Sequence, residues 1–183
     1  MSKKFTTKQL VFSAMAIALA TVISVVLKLP SLPNGGYVTL FSMLVICLVG
    51  YWYGPFVGIT AAITFGVLQF ILEPYFVHPL QVLLDYPLAF GALGLSGFFS
   101  NKKYGLVTGY IVGVLGRFVF HCISGVIFYT QYVGNFGGDV AAIWTGVVYN
   151  MSYIFPEAAL TLILILLPPV SKTLLHLKQM ALS

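Results

Sequence analysis

The chain has 183 residues, of which 60% are hydrophobic and 7% charged, with a formal net charge of +5 and a mean hydropathy of +1.01. Soluble domains are roughly 25% charged, so a water-soluble globule is excluded and lipid must be the solvent for much of the surface. Continuous apolar runs exclude an outer-membrane barrel, whose strands alternate over about ten residues, and nine scattered Lys and Arg make no patch for nucleic acid.

Six apolar stretches follow one another, at about 9–27, 37–53, 56–73, 79–99, 105–129 and 141–168, each near the length a bilayer requires. They predict an all-α integral membrane protein with six transmembrane helices and a single membrane domain over residues 1–183. The connections are rich in Pro and Gly: LPSLPNGG (29–36), YGP (53–55) and GNFGGD (134–139). Span one contains SAMAIALA, in which Ala14 and Ala18, and likewise Ala16 and Ala20, stand four apart. Such spacing lets another helix approach closely, either within the chain or from a partner. The run continues beyond a signal-peptide core, so it reads as a retained span.

Basic residues set the orientation. Lys3, Lys4 and Lys8 precede span one, Lys102 and Lys103 separate spans four and five, and Lys172 and Lys178 follow span six. With six spans all three clusters fall on one side, so both termini are expected in the cytoplasm. Lys28 falls on the other side, at a helix end from which it can snorkel. Tyr51, Trp52 and Tyr53 join the inner aromatic belt, and Cys47 and Cys122 read as small buried hydrophobes.

Ionisable groups at membrane depth are costly and mark function. With about 1.5 Å of rise per residue, Asp85 lies roughly 9 Å below the outer end of span four, His121 roughly 12 Å below that of span five and Asn150 roughly 13 Å down span six. Tyr86, Tyr129, Trp144 and Tyr149 stand around this layer, with Tyr37 and Tyr75 in the outer connections. Together they compose a small outward-opening pocket, and one carboxylate with several aromatic faces gives it a preference for cations. The bland alternative is an interface-facing Asp and an ordinary aromatic belt. Deeper, Arg117 and Glu157 share helix faces with His121 and Asn150 and are expected to form an intramembrane ion pair, against the alternative of two charges in separate water defects. Pro87 is expected to cost little, being early in its helix.

Gly94-Leu95-Ser96-Gly97 matches the GxSG pattern around the serine of rhomboid-type intramembrane proteases. A nucleophilic serine needs a base within hydrogen-bond reach, and none of the histidines is well placed for Ser96, near the cytoplasmic end of span four: His121 is in the outer half, His78 outside and His176 after the last span. No phosphate-binding loop or HExxH zinc motif is present. No enzymatic activity, metal or cofactor is therefore expected, and uphill transport would draw on an ion gradient or another subunit.

LLDYPLAFGALGLSGFF (83–99), GRFVFHCISGVIFYTQY (116–132) and Tyr149-Asn150 resemble the substrate-binding S components of energy-coupling factor (ECF) vitamin transporters, of the thiamine type (ThiT/YuaJ). The resemblance implies a six-helix subunit of the bacterial plasma membrane. It would bind thiamine from outside and deliver it with a transmembrane coupling subunit and two ATPase subunits, ATP being bound only by those partners. By match, Asp85, Tyr86, His121, Tyr129, Asn150, Tyr75 and Tyr37 are the implied ligand residues, while Ala14 and Ala18 would face the coupling subunit. The family pattern has Glu at Asp85 and Trp at Tyr129 and Tyr37, and both Trp144 and Tyr149 fit the helix-six aromatic. Alternatives are an S component for another vitamin or thiamine precursor, and a stand-alone ion-coupled transporter.

Overall fold

A computed structural model describes residues 5–29, 37–128, 130 and 138–183. Lys3, Lys4 and Tyr129, and most of the connections at 29–36 and 134–139, lie outside the described residues. The described chain is helical: α1 (Thr7–Val26), α2 (Ser42–Tyr53), α3 (Pro55–Leu72), α4 (Pro79–Phe99), α5 (Gly105–Ile127), α6 (Gly138–Leu166) and α7 (Pro168–Leu182). Five of these, all except α2 and α7, are long and apolar enough to cross a membrane. The only β pairing among the described residues is one antiparallel bridge, Lys28 to Thr39.

α1 starts with a capping box, in which the Thr6 hydroxyl accepts from the Gln9 amide at 3.2 Å and the Gln9 side chain accepts from the Thr6 amide at 3.1 Å. Of its two alanine stripes, Ala16 and Ala20 are buried against the bundle, whereas Ala14 and Ala18 point outward. At the far end the Leu29 amide donates to the Val38 carbonyl and the Leu40 amide to that of Leu27, each at 3.0 Å.

That pairing corrects the expected second span. Residues 37–41 are not helical, Phe41 takes a left-handed φ of 68°, and α2 begins only at Ser42. Twelve helical residues rise about 18 Å, short of the ~30 Å hydrocarbon core. Non-helical backbone at such depth is tolerated where it lines a cavity, and Tyr37 and Thr39 do line one.

α4 also departs from regular helix. Its π-helical turn, Leu84–Leu88, contains both Asp85 and Pro87, and its last eight residues, Ala92–Phe99, are 3-10. Pro87 is therefore not placed at the helix start, as expected, but in a turn whose hydrogen-bond pattern is already shifted; π-bulges recur at functional sites.

The GxSG stretch is a packing motif. A Cβ on Gly94 would run into the backbone of Gly58 and Ile59, and one on Gly97 into that of Gly54 and Pro55. Ser96 is fully buried and donates to the Cys47 carbonyl at 2.8 Å. Around it Met43, Ile46, Phe65, Leu93, Tyr110 and Ile154 make the apolar core.

α7 is a helix the span count passed over. Leu174 and Ala181, seven apart, are buried, while Lys172 and His176 are exposed. The Tyr53 hydroxyl donates to the Ala181 carbonyl at 3.1 Å. Lys178 donates to the Ser100 carbonyl and sits 3.8 Å over the Tyr51 ring. α7 thus ties together the ends of α2 and α4 opposite the cavity, and burial lowers the Lys178 pKa from its ordinary value.

Candidate functional site

A cavity of about 430 Å³ opens between the C-terminal ends of α1 and α3, the 37–41 segment, the first half of α4, and the facing sides of α5 and α6. Its polar wall is built on the π turn of α4. Asp85 Oδ1 lies 3.0 Å from His121 Nδ1, and Oδ2 accepts from Gln81 Nε2 at 2.7 Å and Ser124 Oγ at 2.9 Å. Gln81 is buried and its Oε1 accepts from the Val77 amide at 3.2 Å, which ties the carboxylate to the start of α4. The Arg117 Nε–H donates to His121 Nε2 at 3.4 Å. With Nε2 accepting, the proton of a neutral imidazole belongs on Nδ1, where it donates to Asp85. Carboxylate, imidazole and guanidinium therefore form one chain of opposite end charges, and the guanidinium also stacks 4.3 Å over the Phe90 ring.

The other walls are aromatic. The Tyr86 hydroxyl donates to the Glu73 carbonyl at 3.0 Å and accepts from the Tyr75 amide at 3.1 Å, while its ring meets Phe70 edge-on at 5.0 Å. Tyr37, Tyr75, Tyr86, Tyr149 and Tyr153 all line the cavity, and Glu73 adds a second carboxylate at the mouth. Tyr149 and Tyr153 pack edge to face at 5.6 Å.

Three sequence expectations need correction. First, Arg117 and Glu157 form no ion pair: Arg117 lines the cavity through the contacts above, whereas Glu157 accepts from Thr39 Oγ1 at 3.0 Å, Ser42 Oγ at 3.4 Å and the Met43 amide at 3.3 Å. The 37–41 segment and the first turn of α2 bring those donors to the carboxylate. Second, Asn150 stands behind the wall, not on it. Its Nδ2 donates to the carbonyls of Gly146 at 2.6 Å and His121 at 3.2 Å, and its Oδ1 accepts from the Tyr153 hydroxyl at 2.5 Å. Third, Trp144 is 66% exposed and does not line the cavity, so of the two helix-six candidates only Tyr149 does.

Sequence reasoning missed Gln81, Ser124 and Tyr153. Each lies three or four residues from a residue singled out in span four, five or six, namely Asp85, His121 and Asn150, so helical spacing was the available signal. Glu73, Ser24 and Gln69 were also missed; Gln69 Nε2 donates to Ser24 Oγ at 3.0 Å on the α1–α3 side.

The sequence model of the thiamine transporter protein family (Thia_YuaJ) matches residues 10–177. The chain belongs to this family. It is 32% identical over 170 residues to the thiamine transporter ThiT of Bacillus subtilis (strain 168), the match covering 82% of this chain and 85% of that protein. Its fold is similar to that of a solved structure of ThiT from Listeria monocytogenes, with a TM-score of 0.60 at 20% identity over 88% of this chain and 93% of the other. Membership of Thia_YuaJ, a transporter and not an enzyme family, makes this a multi-pass cell-membrane protein.

Proposed function

We propose that this chain is the thiamine-binding S component of an ECF importer. It captures thiamine in the cavity from the cell exterior, crosses the membrane six times with both termini in the cytoplasm, and works with a coupling subunit and two ATPase subunits. The chain itself carries no cofactor; ATP acts only on the partner subunits. What carries the reading is the Asp85 carboxylate on the wall of an otherwise aromatic cavity, in a chain of the thiamine transporter family.

Thiamine is a permanent cation joined to an aminopyrimidine. A carboxylate and tyrosine faces suit the thiazolium, and Asp85 Oδ1, which meets only His121, keeps acceptor capacity for the amine. In this reading Asp85, Tyr86, Tyr75, Tyr37 and Tyr149 contact ligand, Tyr129 joins them by resemblance, and His121 orients it. Asn150 acts through Tyr153. The outward stripe of Ala14 and Ala18 is the face offered to the coupling subunit. Arg117 and Glu157, lacking a pair, give little support to a stand-alone ion-coupled transporter.

The test is a calorimetric titration of the purified, detergent-solubilised protein with thiamine, with riboflavin and biotin as controls. Saturable binding of thiamine alone is expected. Binding of a different vitamin, or of none, would overturn the assignment. Tryptophan quenching is a poor substitute, since neither Trp52 nor Trp144 lines the cavity.

A further inference from the structure

Lys28 stands apart from every basic cluster in the sequence, and its side chain does not snorkel away from the bundle. The ammonium donates to the Glu73 carboxylate and lies 3.3 Å from the centroid of the Tyr37 ring. Its backbone pairs with Thr39, within the same short segment as Tyr37. Tyr37 and Glu73 both line the cavity, whereas Lys28 does not. The lysine therefore grips the mouth from behind: it joins the end of α1, the ring of Tyr37 and the end of α3.

We infer that Lys28 is a positioning residue, which holds the Tyr37 ring against the cavity by bridging it to Glu73. An exposed ion pair alone contributes little. Here, however, the side chain of Lys28 is only 17% exposed, and a cation over a partly desolvated ring is worth more than either contact at the surface. The same bridge neutralises Glu73, so the mouth does not hold an incoming cation ahead of the Asp85 wall. The ligand part of this inference rests on the thiamine reading; the positioning part does not.

The experiment has two arms, both on the full chain in detergent. In the first, amide hydrogen exchange is followed at Leu40, whose amide closes the bridge onto Leu27. Lys28→Met should speed that exchange about fivefold or more, and Lys28→Arg, which retains a cation for both the ring and the carboxylate, should return it to within about twofold of the parent. In the second arm, thiamine dissociation is timed by stopped flow. Lys28→Met should raise the off-rate about fivefold, and the same change in a Tyr37→Ala background should add less than about twofold, because the ring it positions is gone.

Unchanged exchange in Lys28→Met, or no rescue by arginine, overturns the inference. So does an off-rate effect of equal size with and without Tyr37. If the parent protein binds no thiamine, the proposed function falls, and the exchange arm alone decides the role of Lys28.

Discussion

Glu157 of α6 caps the N-terminus of α2: its Oε1 lies 3.3 Å from the Met43 amide nitrogen. α2 makes no side-chain cap of its own, because Phe41 occupies the cap position with left-handed backbone. A carboxylate from a helix distant in sequence meets the orphan amide and the positive end of the helix dipole. Since Thr39 and Ser42 donate to the same carboxylate, α6 is tied to the segment that carries Tyr37.

Removing that carboxylate takes the acceptor from the Met43 amide and from the Thr39 and Ser42 hydroxyls, of which one can still donate to the other at 3.0 Å. Glu157→Ala is expected to destabilise the protein by about 2–3 kcal/mol, with Glu157→Gln costing less because an amide oxygen still accepts. Thermal unfolding in detergent reads this. A loss no larger than that of a surface substitution would show that the cap is dispensable.

Asp85→Asn should weaken thiamine binding by about tenfold or more, since it removes the counter-charge and turns one carboxylate oxygen into an NH₂ that faces a donor whichever way the amide turns, His121 on one side or Gln81 and Ser124 on the other. Asp85→Glu, which restores the longer acid, should bind within about tenfold of the parent. Calorimetry decides, and an Asn variant of parental affinity would strip Asp85 of its role.

Two aromatic residues near Asn150 separate cleanly. Tyr153→Phe leaves the Asn150 oxygen without its donor and should weaken binding by about three- to tenfold. Trp144→Phe, at a residue 66% exposed that does not line the cavity, should change affinity by less than about twofold. The reverse ranking would mean that the helix-six assignment is wrong.

The glycines around Ser96 should matter more than the serine. Gly94→Ala places a methyl group against the backbone of Gly58 and Ile59, where neither neighbour can rotate away, and folded yield should collapse. Ser96→Ala removes one hydrogen bond and should cost about 1 kcal/mol while leaving thiamine affinity intact. Expression followed by size-exclusion profiles and titration of both variants tests the pair.

Most of the helices were legible in the sequence because burial in lipid demands long apolar runs, and such runs need no partner to be recognised. α2 and α7 were misjudged for opposite reasons. The run at 37–53 is apolar enough for a full helix, but residues 37–41 gain more from pairing with the end of α1 and donating to Glu157. α7 is amphipathic rather than apolar, so a search for spans passes it by even though Leu174 and Ala181 carry the helical period.

The site divides in the same way. Spacing along a helix converts directly into depth, at about 1.5 Å per residue, so the sequence by itself determined that Asp85, His121 and Asn150 share a layer. It also determined that a carboxylate stands there among tyrosines, and the family to which those motifs point. Which way each side chain turns is a matter of rotation about the helix axis, and that is set by packing against neighbours. Only the tertiary structure decided that Asp85 meets His121 while Asn150 turns behind the wall to hold Tyr153. It also sent Arg117 to His121 and Phe90, and Glu157 to the end of α2. Two charges at one depth pair only if their helices turn them toward each other, and here the α2 terminus offered Glu157 amide and hydroxyl donors at shorter reach.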